Sequence, residues 1–106
     1  MPVIEFEGKK FEVNKDGYLV NFNDWCEDWM AHAQKLFEIN DLSDNHRKVI
    51  IFARGFYAKN NCTPTLLQVS VHVCFTIVYL YSLFLDEPRR KIGLIAGLPD
   101  KIGCVQ

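Results

Sequence analysis

The sequence lacks most of the short motifs by which enzymes and metal proteins are recognised. None of its four cysteines forms a Cys-x-x-Cys pair, and no cysteine and histidine pattern typical of a zinc site is present. A Gly-rich phosphate loop, a Ser/His/Asp arrangement and a paired-carboxylate signature are also missing. We therefore expect no structural metal and no bound cofactor.

The sequence does not open with a basic segment followed by an apolar run, so we expect a cytoplasmic protein. In that reducing compartment its cysteines are expected to be free thiols rather than a disulfide framework. They are Cys26, Cys62, Cys74 and Cys104.

Charge of one sign is not in excess, since the net charge of the 106 residues is −1. No global field favours nucleic acid, and we expect no direct nucleic-acid binding. The distribution is uneven: residues 1–45 carry 4 basic and 10 acidic side chains, whereas residues 46–106 carry 8 basic and 3 acidic ones. Either an oriented encounter with a charged partner or two solvated faces would explain this.

The hydrophobic content of 49% predicts one small globular domain.

Alternating apolar and polar residues predict short strands at the start of the chain. Residues 3–7 and 10–13 flank the turn Gly8-Lys9, and Asp16-Gly17 precedes a third alternating segment at 18–20. We expect a three-stranded meander within residues 1–21 that packs against the rest of the chain.

Two amphipathic helices follow in the predicted order. Asn23 or Asp24 is expected to cap a helix that runs through Phe37, with Trp25 and Trp29 in the core. Cys26 lies among acidic residues, which disfavour its thiolate, and is expected to be a bystander.

Ser43 is the expected N-cap of the second helix, which ends near Asn60. His46 is expected to be a packing or surface residue. The predicted buried stripe is Val49, Ile50, Ala53, Phe56 and Tyr57, and the predicted solvent face is Arg47, Lys48, Arg54 and Lys59.

Residues 64–85 carry no formal charge and allow three interpretations. Their length permits a membrane span, although Gln68, His72 and several hydroxyl residues interrupt the apolar run. Strict alternation over 67–77 favours a strand. Alternatively, Thr63 caps and Pro64 opens the first of two buried helices.

The next segment predicts a final helix that leads into a C-terminal arm. Pro88 suits the first helical turn, and Gly97 and Pro99 stop the helix. The basic cluster Arg89, Arg90 and Lys91 precedes the arm and is either a solvated face or an attractor of anions. The arm, residues 98–106, is expected to be flexible and carries Cys104 two residues from the end of the sequence.

Several stretches resemble, in order, the DsrC/TusE family of sulfur-relay proteins. The most specific are Ile95-Ala-Gly-Leu-Pro99 and Gly103-Cys104, with Tyr79-Leu-Tyr-Ser-Leu-Phe84 before them. Weaker upstream matches include Asp16-Gly-Tyr-Leu19 and Phe56-Tyr57. The resemblance covers nearly the whole chain.

The resemblance implies a mostly helical α+β fold in one domain, residues 1–106. A small N-terminal β-meander would pack on an orthogonal bundle of about five helices in residues 23–97, followed by the arm. It favours two helices at 64–74 and 77–85, with Cys74 an inert buried thiol and His72 a packing residue.

The resemblance also implies that Cys104 is the catalytic residue, carrying sulfur as a persulfide. The protein would be a sulfurtransferase-type carrier that acts stoichiometrically between a sulfur-donor protein and a sulfur-acceptor enzyme, such as a tRNA thiolase complex.

Departures from the family direct the choice of branch. The branch that works with dissimilatory sulfite reductase has a second arm cysteine at the position of Gly93, so a disulfide between two arm cysteines is excluded here. The segment between Pro64 and Tyr79 is also expected to be several residues shorter than in that branch. Both departures favour the TusE-like branch, which serves 2-thiolation of tRNA uridine. Leu94 in place of a lysine indicates a divergent member. A DsrC-like role, a regulatory or DNA-contacting module and a non-carrier accessory subunit are the alternatives.

Overall fold

The computed structural model describes residues 2–99, which form one antiparallel sheet and five helices. The strands are β1 (Val3–Phe6) and β2 (Lys9–Glu12), and the helices are α1 (Glu27–Leu36), α2 (Asp44–Asn60), α3 (Leu66–Val73), α4 (Ile77–Phe84) and α5 (Pro88–Ile95). The predicted mostly helical α+β class is confirmed. Residues 100–106, including Cys104, lie outside the described residues.

The N-terminal hairpin turns at Glu7 and Gly8, both of which have positive φ. Strands β1 and β2 pair in antiparallel register, with Ile4 opposite Phe11. The predicted third strand is wrong: the segment 18–20 makes only an isolated bridge between Leu19 and Val13. The side chain of Asn14 accepts hydrogen bonds from the N–H groups of Asp16 and Tyr18, which closes a tight loop in place of a strand.

Helix α1 begins later than predicted. Asn21 caps a short 3-10 turn (Phe22–Asp24), and α1 starts only after Cys26, whose side chain makes no capping hydrogen bond. Trp29 in α1 is fully buried, as predicted, whereas Trp25 in the connection is half-buried.

Helix α2 begins at the predicted cap. The Ser43 hydroxyl accepts from the backbone N–H of His46, and the His46 side chain accepts in turn from the backbone N–H of Ser43. The other ring nitrogen of His46 lies 2.7 Å from the carbonyl oxygen of Leu83. His46 is therefore a buried packing residue that joins α2 to α4.

The uncharged segment forms two short helices, and the strand interpretation is wrong. Thr65, not Thr63, caps α3 in a capping box with Gln68, and Thr76 caps α4. Cys74 ends α3 in the left-handed conformation, so the chain bends by 103° between the two helices.

Among the described residues, no single helix is long and apolar enough to cross a membrane, and α3 with α4 pass that test only as a sharply bent pair. The two helices expose several apolar side chains, namely Leu67, Val71, Val78 and Tyr81, and Leu85 directly after α4 is also exposed.

Helix α5 lies at the centre of the core and contacts α1, α2 and α4. Pro88 occupies its first turn, as predicted. Residues 92–98 are all buried, so the last helix and the start of the arm form one continuous core segment.

Candidate functional site

Residues 94–98 form the base of the C-terminal arm, and side chains from two other segments hold its carbonyl groups. The indole N–H of Trp29 donates to the Leu94 carbonyl at 2.7 Å, and that of Trp25 donates to the Ile95 carbonyl at 3.0 Å. The last carbonyls of a helix have no partner inside the helix. The Trp25 indole therefore gives the Ile95 carbonyl a partner from outside the helix, and the Trp29 indole adds a hydrogen bond to the Leu94 carbonyl, which also accepts from the N–H of Gly97.

Arg54 of α2 holds the next carbonyl of the arm base. Its guanidinium donates to the Ala96 carbonyl at 2.9 Å and to the Phe22 carbonyl at 3.2 Å. The same group lies 3.9 Å from the centre of the Phe22 ring and 4.3 Å from that of Trp25. Burial lowers the pKa of Arg54 from its ordinary value. The prediction that Arg54 lies on the solvent face is wrong.

A Schellman turn ends α5 and directs the chain into the arm. Gly97 has φ +70°, its N–H donates to the Leu94 carbonyl, and the N–H of Leu98 donates to the Gly93 carbonyl at 3.0 Å. A Cβ on Gly97 would lie 2.6 Å from Cδ1 of Trp25. Only glycine fits this turn, because both the backbone conformation and the close indole exclude a side chain.

The basic cluster at the start of α5 is partly engaged in structure. Arg89 donates to the backbone carbonyls of Thr63 and Pro64, which fixes the α2–α3 connection against α5. Arg90 and Lys91 lie over the Phe37 ring at 5.7 and 5.6 Å. Arg89 and Arg90 also line an open cleft of ≈ 320 Å³. An attraction of the cluster for anions remains a prediction.

The described cysteines differ in environment. Cys26 is a half-buried free thiol, and the Lys9 ammonium lies 4.0 Å from its Sγ and forms an ion pair with Asp28 at 3.2 Å. The hydrogen bond to Asp28 raises the pKa of Lys9. The Lys9 ammonium beside Sγ differs from the acidic surroundings expected for this thiol, and the bystander role of Cys26 stays a prediction.

The expectations for Cys74 and Cys62 need correction. Cys74 is free but exposed, because it sits at the corner between α3 and α4 instead of inside a helix. Cys62 is half-buried and disulfide-bonded, so the expectation of a free thiol is wrong there. His72 is exposed and stacks on Phe52 at 4.8 Å.

Sequence reasoning missed Arg54 and Cys62 as parts of this region. Arg54 lies four residues after the buried Ile50 and so shares its helix face, which was the available signal. Cys62 has no local signal, because the contacts that fix the next residue, Thr63, come from Arg89 in α5. Within residues 2–99, no group of three or more His, Cys, Asp or Glu side chains could hold a metal ion.

Comparisons with known proteins cover almost the whole chain. A family model described as "DsrC like protein" matches residues 5–105. The gamma subunit of dissimilatory-type sulfite reductase from Nitratidesulfovibrio vulgaris is 36% identical over 105 residues, which are 99% of this chain and 100% of that protein. The sulfurtransferase TusE from Photorhabdus laumondii is 33% identical over 112 residues, with 99% and 100% covered.

The fold has close counterparts among solved structures. The crystal structure of dissimilatory sulfite reductase I (DsrI) matches with a TM-score of 0.87 and 37% identity. The match covers 98% of this chain and 100% of that chain.

Proposed function

Since this chain belongs to the DsrC-like family, we propose that it is a sulfur carrier in which Cys104 receives, holds and passes on one sulfur atom. The observation that carries the proposal is the match over residues 5–105, which includes the arm and its cysteine. Relatives at similar identity are named as a sulfurtransferase and as a sulfite reductase subunit, so the family supports a sulfur-relay role.

The arm base supports this assignment. Trp25, Trp29 and Arg54 hold the carbonyls of residues 94–96, and the N–H of Leu98 is bonded to Gly93. Cys104 follows only a few residues later. Five residues after Pro99 span at most about 17 Å when extended. Cys104 is therefore presented at a limited distance from a fixed point of the body, which suits delivery of sulfur to a partner's active site.

The chemistry requires one thiolate and no cofactor. The Cys104 thiolate attacks the outer sulfur of a donor persulfide, a new S–S bond forms on Cys104, and the donor leaves as its thiolate. A second thiolate on the acceptor removes the sulfur by the same exchange. Each protein molecule carries one sulfur per cycle, so the carrier is stoichiometric and its partners supply activation.

Two pathways are candidates for the acceptor. Gly93 replaces the second arm cysteine and favours relay toward a tRNA-thiolating enzyme in the cytoplasm. The alignment with the gamma subunit is no longer than this chain, whereas that with TusE, at 112 positions, exceeds it and must contain gaps. The expected shortening between Pro64 and Tyr79 therefore gives no support for TusE, and a sulfite reductase partner is the second candidate.

The proposed donor and acceptor are proteins, and one described surface is suited to such contacts. The side chains that α3 and α4 expose include Val78, which is 80% accessible, and Leu67, which is 64% accessible. Large apolar side chains exposed on adjoining helices are typical of protein interaction sites.

The test is intact-mass spectrometry after incubation with glutathione persulfide under anaerobic conditions. We expect the wild type to gain one sulfur atom and Cys104→Ser to gain none. Cys26→Ser and Cys74→Ser, which remove the two free thiols of the body, are matched controls and should still be loaded.

Uptake by Cys104→Ser, or no uptake by the wild type even with candidate donor proteins, would overturn the carrier. In the latter case an accessory role without sulfur transfer, in which partner binding survives Cys104→Ser, would take its place.

A further inference from the structure

Gly93 marks the point where the α2–α3 connection packs against α5. A Cβ placed on Gly93 would lie 3.9 Å from Cγ2 of Thr63, the residue that follows Cys62. Arg89 locks this contact, because its guanidinium donates to the carbonyls of Thr63 at 3.1 Å and Pro64 at 3.2 Å. The backbone next to Cys62 is thus fixed beside Gly93 of α5.

The arm starts at the same place. The N–H of Leu98 donates to the Gly93 carbonyl at 3.0 Å, so the last turn of α5 ties the arm base to the residue that contacts Thr63. From Pro99, five residues reach Cys104 and span up to about 17 Å. Cys62 is therefore within reach of the arm without any change in the body.

The state of the thiols separates Cys62 from the other cysteines of the body. Cys26 and Cys74 are free, whereas Cys62 is disulfide-bonded. Arg89 holds the carbonyl of Thr63, the residue that follows Cys62, so the backbone next to Cys62 is fixed against α5.

We propose that Cys62 is the resolving thiol for Cys104. Gly93 stands at the position of the second arm cysteine, and Cys62, which belongs to the body of the protein, takes over its role. This inference rests on the carrier function proposed above. It gives the protein two ways to unload: to an acceptor thiolate, or internally as free sulfide.

The internal step balances without an external oxidant. The Cys62 thiol loses its proton to solvent, and its thiolate attacks the inner sulfur of the Cys104 persulfide. The Cys62–Cys104 S–S bond forms while the bond to the outer sulfur breaks, and that sulfur leaves as HS⁻. The two cysteines are oxidised to a disulfide and the outer sulfur is reduced. An external dithiol must then reduce the disulfide before the next cycle.

The experiment loads the full chain with glutathione persulfide, removes the reagent anaerobically and traps released sulfide with monobromobimane. After alkylation, trypsin yields residues 60–89, which contain Cys62 and Cys74, and residues 102–106, which contain Cys104. We expect the freshly loaded wild type to carry the one added sulfur atom at first. It should then release this atom as one sulfide per persulfide and give these two peptides joined by a disulfide.

Cys62→Ser should retain the persulfide and release sulfide at no more than about one tenth of the wild-type rate. Cys74→Ser is the matched control, because it removes the other thiol of the same peptide and should behave as the wild type. Cys62→Ala, with a circular dichroism spectrum of each variant, separates loss of the thiol from loss of the fold.

Three results would overturn the inference. Sulfide release at the wild-type rate from a folded Cys62→Ser variant would exclude Cys62 while leaving the carrier intact. So would loss of the disulfide between the two peptides in Cys74→Ser. Failure of Cys104 to load at all would remove the carrier function and the resolving step together.

Discussion

At the scale of single residues, Gly97 is the position on which the arm base depends. Its φ of +70° closes the Schellman turn, and its missing side chain makes room for the Trp25 indole, which in turn donates to the Ile95 carbonyl. Conformation and packing therefore demand glycine independently.

We predict that Gly97→Ala destabilises the protein by about 2–4 kcal/mol, since the added Cβ would suffer both left-handed backbone strain and a steric overlap with the Trp25 ring. Urea unfolding followed by circular dichroism measures the change. Gly55→Ala is the matched control: Gly55 lies inside α2 with no atom near its missing Cβ, so alanine should stabilise by about 0.5–1 kcal/mol. Equal effects of the two substitutions would contradict this assignment.

At the scale of elements, the corner between α3 and α4 shows that capping residues can determine a helical structure where the hydrophobic periodicity predicts a strand. The alternation over 67–77 is typical of a strand, but Thr65 and Thr76 each cap a helix start, and Ser70 donates to the carbonyl of Phe75 to close the corner. Cys74 holds the left-handed conformation there although it is not glycine.

Replacement of Cys74 by glycine should stabilise the protein by about 1 kcal/mol, because glycine adopts this conformation without the strain of a Cβ. Cys74→Ala keeps the Cβ and should change the free energy of unfolding by less than about 0.5 kcal/mol. Urea denaturation midpoints of the two variants test the difference, and a glycine variant no more stable than the alanine variant would show that the corner is unstrained.

The same scale explains which elements could be predicted. Ser43 and Pro88 are single start signals, and α2 and α5 begin where they predict. The predicted starts of α1 and α3 are wrong for different reasons. Before α1, Asn21 caps a separate 3-10 turn, and the helix begins only after Cys26, whose side chain makes no capping hydrogen bond and so gives no local signal. Before α3, Thr63 and Thr65 can both cap, and the contacts of Arg89 with the carbonyls of residues 63 and 64 hold Thr63 in the connection, which no local pattern contains.

The candidate site also contains some residues that the sequence predicts and others that it does not. Cys104 and the glycine of the arm base follow from the family motif. Arg54 donates to Ala96, 42 positions away, and Arg89 holds Thr63, next to Cys62, from 26 positions away, so spacing along the chain could not reveal either contact.

At the scale of the whole molecule, His32 couples stability to pH. It lies on α1 between the rings of Phe6 and Trp29, with Lys35 over the Phe6 ring, and burial lowers its pKa from the ordinary value of 6.5. The unfolded chain therefore binds a proton at a higher pH than the folded chain does. Stability is fully present above the ordinary pKa and falls as the pH drops below it.

We predict that His32→Gln weakens this dependence. Its free energy of unfolding should fall less than that of the wild type between about pH 7.5 and pH 5, because the side chain no longer titrates. Urea titrations at both values measure the two slopes. Parallel profiles would show that His32 contributes nothing to the acid sensitivity of the fold.

The hydrogen bonds from the two indoles also give the protein a built-in optical reporter. Trp25 and Trp29 are its only tryptophans, and both donate to the last turn of α5. Trp29 is fully buried, whereas Trp25 is half-exposed beside the Arg54 guanidinium. Any event that displaces the arm base changes the surroundings of both rings. Intrinsic fluorescence should therefore follow loading, unloading or partner capture in real time, without a label.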